Sequence, residues 1–141
     1  MIDSLDNSFE DIQVGMKKKF KVTVTEKIMD EFADLSGDYN PLHMDSEYAK
    51  TTNFKKRICH GMLLASFFSR LVGMYIPGKK SLYLTQSLKF VQPCFADDEV
   101  TIIGEVISKS DSSRIITVKT EIINNDNVSL VKGEAKVLVR D

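Results

Sequence analysis

The apolar positions of this chain change period twice. Near the N-terminus Phe20, Val22 and Val24 alternate with Lys21 and Thr23, the period-two pattern of a half-buried strand. From Thr25 the period lengthens, with Ile28, Phe32 and Leu35 at i, i+4 and i+7 and Glu26 in the first turn. Thr25 suits an N-cap and Gly37 a helix end, so a helix is predicted through about Ser36. Ser46 to Lys50 reads as a short helix, and Thr51 to Arg57 as a polar, basic loop. Gly61 to Ile76 is different in kind. Here Met62, Leu63, Leu64, Phe67, Phe68, Leu71, Val72 and Met74 cover nearly every face, broken mainly by Ser66, Ser69 and Arg70. That predicts a helix buried on most sides, stopped by Pro77-Gly78. At 1.5 Å per residue it spans roughly 24 Å, too short for a membrane and suited to the axis of a small domain.

From Ser81 the period returns to two. Leu82, Leu84, Leu88 and Phe90 share one parity, with Gln86 as an exception. Val100, Ile102 and Val106 lead the next strand, where Ile103 and Ile107 make both faces apolar. Ile116, Val118 and Ile122 mark a third, and Val131, Ala135, Val137 and Val139 the last. Pro93 with Asp97-Asp98, Ser110 to Ser113, and Asn124 to Asn127 punctuate between them. One strand, a helical block and four sequential strands predict an α+β fold, an antiparallel sheet wrapped around the apolar helix. Residues 1–141 read as a single domain without internal repeats.

Composition narrows the partners. Hydrophobic content of 43% and charged content of 28% are ordinary for a water-soluble domain. Nineteen basic against twenty acidic residues leave a net charge of −1, which argues against nucleic acid as the main partner. Lys17-Lys18-Lys19 and Lys21 read as a protected strand edge. The two cysteines, Cys59 and Cys94, lack metal-ligand spacing and read as free thiols of a reducing compartment. The acidic N-terminus is unlike a signal peptide, and no run is long enough to span a membrane. A cytoplasmic location is expected.

The chemistry concentrates in Gly37-Asp38-Tyr39-Asn40-Pro41-Leu42-His43. Asp38 and His43 are five positions apart, which on a regular helix would splay them by about 140°. Pro41 pushes Asn40 out of the helical region, and Gly37 and Asn40 are turn formers. A sharp fold here brings a carboxylate and an imidazole together, and the two can share a water as a general acid/base pair. The plainer reading is a polar turn with a locally bonded His43. A second feature is His60-Gly61, at the start of the buried helix. The free amide of a helix N-terminus, with no Cβ in the way, suits an oxyanion forming on a carbonyl. His60 itself reads as structural rather than as a second base. Together the two features fit proton abstraction at Cα, or water addition across an α,β-unsaturated thioester. Ala65, Phe68, Ser69 and Val72 share the face of Gly61 and line either an acyl pocket or plain core.

The runs from Phe32 to Asp45 and from Cys59 to Ser66 resemble the hydratase motif of the MaoC-like, (R)-specific enoyl-CoA hydratase family. Ser81 to Phe90 and Gly133-Glu134-Ala135 extend the resemblance over about Phe9 to Val139. It implies a hot-dog fold, a long central helix wrapped by a five-stranded antiparallel sheet with a helical hydratase-motif segment, usually as a homodimer with continuous sheets. By the same resemblance Asp38 and His43 hold the water that adds to C3 while C2 receives a proton. The Gly61 amide binds the thioester oxygen, Asn40 orients the dyad, and Ser69, Val72 and Val137 shape the acyl end. The implied substrate is an acyl thioester of coenzyme A or of acyl carrier protein, handled without metal or redox cofactor. Lys55, Lys56, Arg57, Lys79, Lys80 and Lys89 are candidates for the coenzyme phosphates. A thioesterase on the same fold and a non-catalytic acyl-thioester-binding subunit are the alternatives, and the complete Gly37–His43 turn counts against the first. Which of Asp38 and His43 is the base, the chain length and the carrier stay open.

Overall fold

The computed structural model describes residues 2–141. The chain runs β1 (Lys17–Thr23), α1 (Glu26–Ser36), α2 (Pro41–Met44), α3 (Ser46–Lys50), α4 (Gly61–Met74), β2 (Ser81–Gln86), β3 (Lys89–Phe90), β4 (Glu99–Ser110), β5 (Ile115–Asn124) and β6 (Ser129–Val139). The strands form one antiparallel sheet in the order β1-β4-β5-β6-β2, with β3 also paired to β6. Five strand positions were expected, and the difference is that the last is split. β2 and β3 follow one another along β6, parted at Ser87-Leu88, where the Ser87 amide donates to the Glu134 carbonyl at 2.9 Å.

Period-two burial on β4, β5 and β6 comes from the residues the sequence marks. Val100, Ile102, Val106, Ile116, Val118, Ile122, Val131, Ala135, Val137 and Val139 are all buried. They close over α4, whose Leu63, Leu64, Phe68, Leu71 and Val72 are buried in turn. The core splits into two clusters along that helix. One holds Leu64, Phe68 and Leu71 with Ile102, Ile122 and Leu130, and the other holds Val72 and Ile76 with Val106, Ile116 and Val137. The N-terminal segment closes the second cluster with Phe9 and Ile12, whose carbonyls accept from Lys109 Nζ at 2.9 and 2.7 Å.

Three local expectations are corrected. α4 ends at Met74 rather than Ile76, because the residue before Pro77 is disfavoured in the helical region; both Tyr75 and Ile76 donate instead to the Leu71 carbonyl. In α1 the fully buried positions are Met29 and Ala33, flanked by partly buried Ile28 and Phe32, whereas Leu35 is 86% exposed in the last turn before the Gly37 cap. On β2 the shared parity of Leu82 and Leu84 faces outward, and Tyr83 packs against the core instead. Burial pushes the Tyr83 hydroxyl up to about 12, so it is a neutral donor to the Gln86 side chain.

The contrast within α1 is measurable by chemical denaturation. Met29→Ala should cost about 3 kcal/mol through the cavity it leaves. Leu35→Ala should stay within about 0.5 kcal/mol of the parent, since it removes exposed surface only.

Candidate active site

The turn after α1 is built by short-range bonds. Thr25 caps α1 by accepting from the Ile28 amide at 3.2 Å, and Gly37 ends it in the left-handed region at φ 80°, which only glycine adopts without cost. Asn40 is extended, as a residue before proline must be, and its side chain accepts from the Leu42 amide at 3.0 Å. Pro41 then opens a single helical turn, α2, the position where its missing N–H is harmless. The stretch is therefore not wholly irregular: Asp38 precedes this turn and His43 rides on it. Asp38 Oδ1 accepts from the Asn40 amide at 3.1 Å, so the main chain of Asn40 steers the carboxylate while its side chain holds the turn that carries His43.

Asp38, Asn40 and most of the turn are exposed. The grip comes from residues 57–60. Arg57 Nε donates to the His43 carbonyl, and the Ile58 amide donates to the Leu42 carbonyl at 3.3 Å. His43 Nδ1 donates to the Ile58 carbonyl at 2.9 Å. His60 Nε2 donates to the Asp38 carbonyl at 3.0 Å. A carbonyl only accepts, so the proton of His43 sits on Nδ1, which leaves Nε2 with its lone pair in the neutral ring. Sequence reasoning named Arg57 as one of six cationic candidates for the coenzyme phosphates, each more often a solvent-exposed charge than a ligand. In the structure its guanidinium is largely buried and engaged, with Asp30 at 3.0 Å and Glu26 at 3.4 Å on α1. Nothing in the Thr51 to Arg57 loop, polar and basic as it reads, marks that role.

Asp38, His43 and His60 each bring a donor atom to within 4.8 Å of one another. Two acceptors about 4.6 Å apart can be bridged by one water donating to both at about 2.8 Å. A shared metal ion fits less well. The His43 and His60 rings stack at 4.2 Å with 30° between planes, so their in-plane lone pairs run side by side instead of converging. Burial lowers the proton affinity of His60 and keeps it neutral.

These groups stand at one end of a cavity of about 520 Å³. Gly61 lies beside them as the first residue of α4, where no preceding turn satisfies its amide and the helix dipole is positive. A Cβ there would meet the Phe90 ring at 2.8 Å, so the wall opposite fits glycine alone. The remaining wall is mostly apolar, with Leu64, Phe90, Leu130 and Val131, and Gln92 is its polar member. Cys59 and Cys94 belong to it as well. They are free, buried neighbours joined by a 2.6 Å bond from the Cys59 amide to the Cys94 carbonyl. A hydrogen bond to Cys94 and then burial push the Cys59 thiol far up, so it is a neutral part of the wall and no nucleophile. Ser69, Val72 and Val137 do not line this cavity. Ser69 is exposed on α4, and Val72 and Val137 lie in the second core cluster.

Removing the Arg57 grip should be felt in folding. Arg57→Leu leaves the His43 carbonyl without its charged donor and should cost about 2 kcal/mol, read from urea unfolding midpoints.

Comparison with known proteins agrees with this geometry. Residues 9–128 match the family model described as MaoC like domain. An (R)-specific enoyl-CoA hydratase of Aeromonas caviae is 44% identical over 130 residues, 92% of this chain and 97% of that protein. One of Rhodospirillum rubrum is 39% identical over 137 residues, 97% of this chain and 94% of that protein. Among solved structures, an R-hydratase of Pseudomonas aeruginosa in its unliganded form superposes with a TM-score of 0.93 at 32% identity, covering 98% of this chain and 88% of that one. With the match covering most of its length and the hot-dog architecture in common, the chain belongs to the MaoC-like family.

Proposed function

We propose that this protein is an (R)-specific enoyl-CoA hydratase, which adds water reversibly to trans-2-enoyl thioesters to give (R)-3-hydroxyacyl thioesters. The observation that carries the reading is the meeting of Asp38, His43 and the Gly61 amide at one end of an apolar cavity. In this reading the thioester oxygen accepts from the Gly61 amide at the start of α4, where the developing enolate charge is stabilised by an amide and a helix dipole already in place. A water held between the Asp38 carboxylate and His43 Nε2 attacks C3. As its O–H bond breaks, one of the pair takes the proton, and C2 receives a proton on the same side of the substrate. The Asp38–His43 pair works as a unit, so its protonation states belong to the pair. Dehydration runs the same steps backward. Leu64, Leu130 and Val131 are the proposed walls of the acyl chain, and the whole chain acts as one MaoC-like domain.

The active form proposed is a homodimer joined through β2. The support is an edge strand that exposes Leu82 and Leu84 at 49% and 46%, a liability for a monomer. Light scattering should return twice the 15.9 kDa of one chain, and a monomer at micromolar concentration would remove this part of the reading.

Turnover is tested with crotonyl-CoA, by following loss of the conjugated double bond and trapping the product with an (R)-specific dehydrogenase. Asp38→Asn and His43→Ala should each lower kcat by roughly 10²–10⁴-fold, and the double variant should be little worse than either. An inactive wild type, release of free thiol without hydration, or activity that survives both substitutions would overturn the proposal.

A further inference from the structure

We infer that His60 is a positioning residue that locks the Asp38 turn to the start of α4, so that the water-holding pair and the oxyanion amide keep one spacing. The inference builds on the hydratase reading, but its geometry stands apart from it.

His60 is 1% exposed and is the residue immediately before Gly61. It stands at the N-cap of α4, yet its side chain makes no capping bond there. Its Nε2 instead reaches back 22 residues to donate to the Asp38 carbonyl at 3.0 Å. A capping side chain would have satisfied one of the free amides of α4; His60 gives that up for a bond to the turn. The ring is fixed by packing on both sides. Phe32 of α1 lies 4.9 Å away at 60°, and His43 stacks at 4.2 Å. Its Nδ1 is buried with no partner among the described residues, which favours a lone pair there over a second N–H.

The consequence is geometric. Gly61 moves with His60, because they are adjacent on the backbone. Asp38 moves with its own carbonyl, and Asn40 ties the carboxylate to the same main chain. One side-chain bond therefore couples the two halves of the site, and losing it frees an exposed turn to drift. A displacement of about 1 Å in reacting groups is enough to cost around a hundredfold in rate.

The buried ring is neutral in this role. The charged or titratable groups around the ring are Asp38 and His43 from the turn and Arg57 from its own segment, while α1 contributes only Phe32. Burial lowers the folded-state proton affinity below the ordinary 6.5. The unfolded chain then binds the proton more readily, so the stabilising contribution is complete above pH 6.5 and is lost as pH falls below it.

The test rests on side chains that place a donor differently. Gln puts its amide nitrogen where Nε2 lies, Asn stops short near Nδ1, and Phe fills the space without a donor. His60→Gln should keep kcat within roughly threefold, whereas His60→Asn and His60→Phe should lose roughly ten- to a hundredfold in kcat with KM changed less than about threefold. The drop in stability below pH 6.5 should vanish in His60→Gln. The chain has only two histidines, so imidazole ¹⁵N spectra read both rings directly and independently of turnover. They should show His60 protonated on Nε2 and His43 on Nδ1 in the wild type. A His60 proton found on Nδ1, or a His60→Phe variant with wild-type kcat, overturns the inference. If the wild type proves inactive on enoyl thioesters but the ring tautomers are as stated, the reaction falls and the positioning role stands.

Discussion

Everything at this site depends on how a solvent-exposed turn is held still. Asp38 and Asn40 are exposed, and the bonds of their side chains reach only two residues along the chain. The segment from Arg57 to His60 supplies what a core supplies elsewhere. It takes hold of the main chain at Asp38, Leu42 and His43, and it accepts the ring proton of His43. Each such bond contributes only about 1 kcal/mol net, but four directed bonds leave little freedom to a turn of six residues. The same segment then becomes α4 without a break. Position is thus passed from the core helix to the turn along a covalent path four residues long.

That path gives α4 two roles with opposite demands. As the axis of the fold it buries Leu63, Leu64, Phe68, Leu71 and Val72 between two core clusters. As part of the site it must leave its first amide free. Both are met because they act at different places: burial begins at Leu63, and Gly61 presents an unpaired amide to the cavity. In the proposed reaction, a helix anchored so firmly does not relax as charge develops at its tip, which is what preorganised stabilisation requires.

Much of this was legible in the chain, and the misses share a cause. Strands β4, β5 and β6 follow their period-two pattern because sheet burial is set by alternation along one strand. The Asp38–His43 meeting followed from Gly37, Asn40 and Pro41, whose backbone preferences are local. Leu35, Leu82 and Leu84 were misread because an apolar residue at the right period looks the same on a core face and on an open edge. The structural role of Arg57 was hidden for a similar reason. A guanidinium spent on a main-chain carbonyl and two carboxylates across the fold has no signature in its neighbours. Long-range polar bonds, of which His60 to Asp38 is another, are invisible to periodicity.

The distribution of charge completes the logic of the cavity. Its lining includes apolar side chains, Leu64 and Leu130 among them, and the Cys59 thiol, which is held neutral. Asp38, exposed, and His43, half-buried, bring a charge and lone pairs to the same cavity. His60 marks the boundary between the two. It is buried like the wall, polar like the dyad, and kept neutral by the first so that it can orient the second. A charged ring at that point would face His43 across 4.2 Å and Arg57 beyond it, so the boundary holds only while burial wins over protonation. The polarity of the cavity is therefore set by folding, before any substrate enters it.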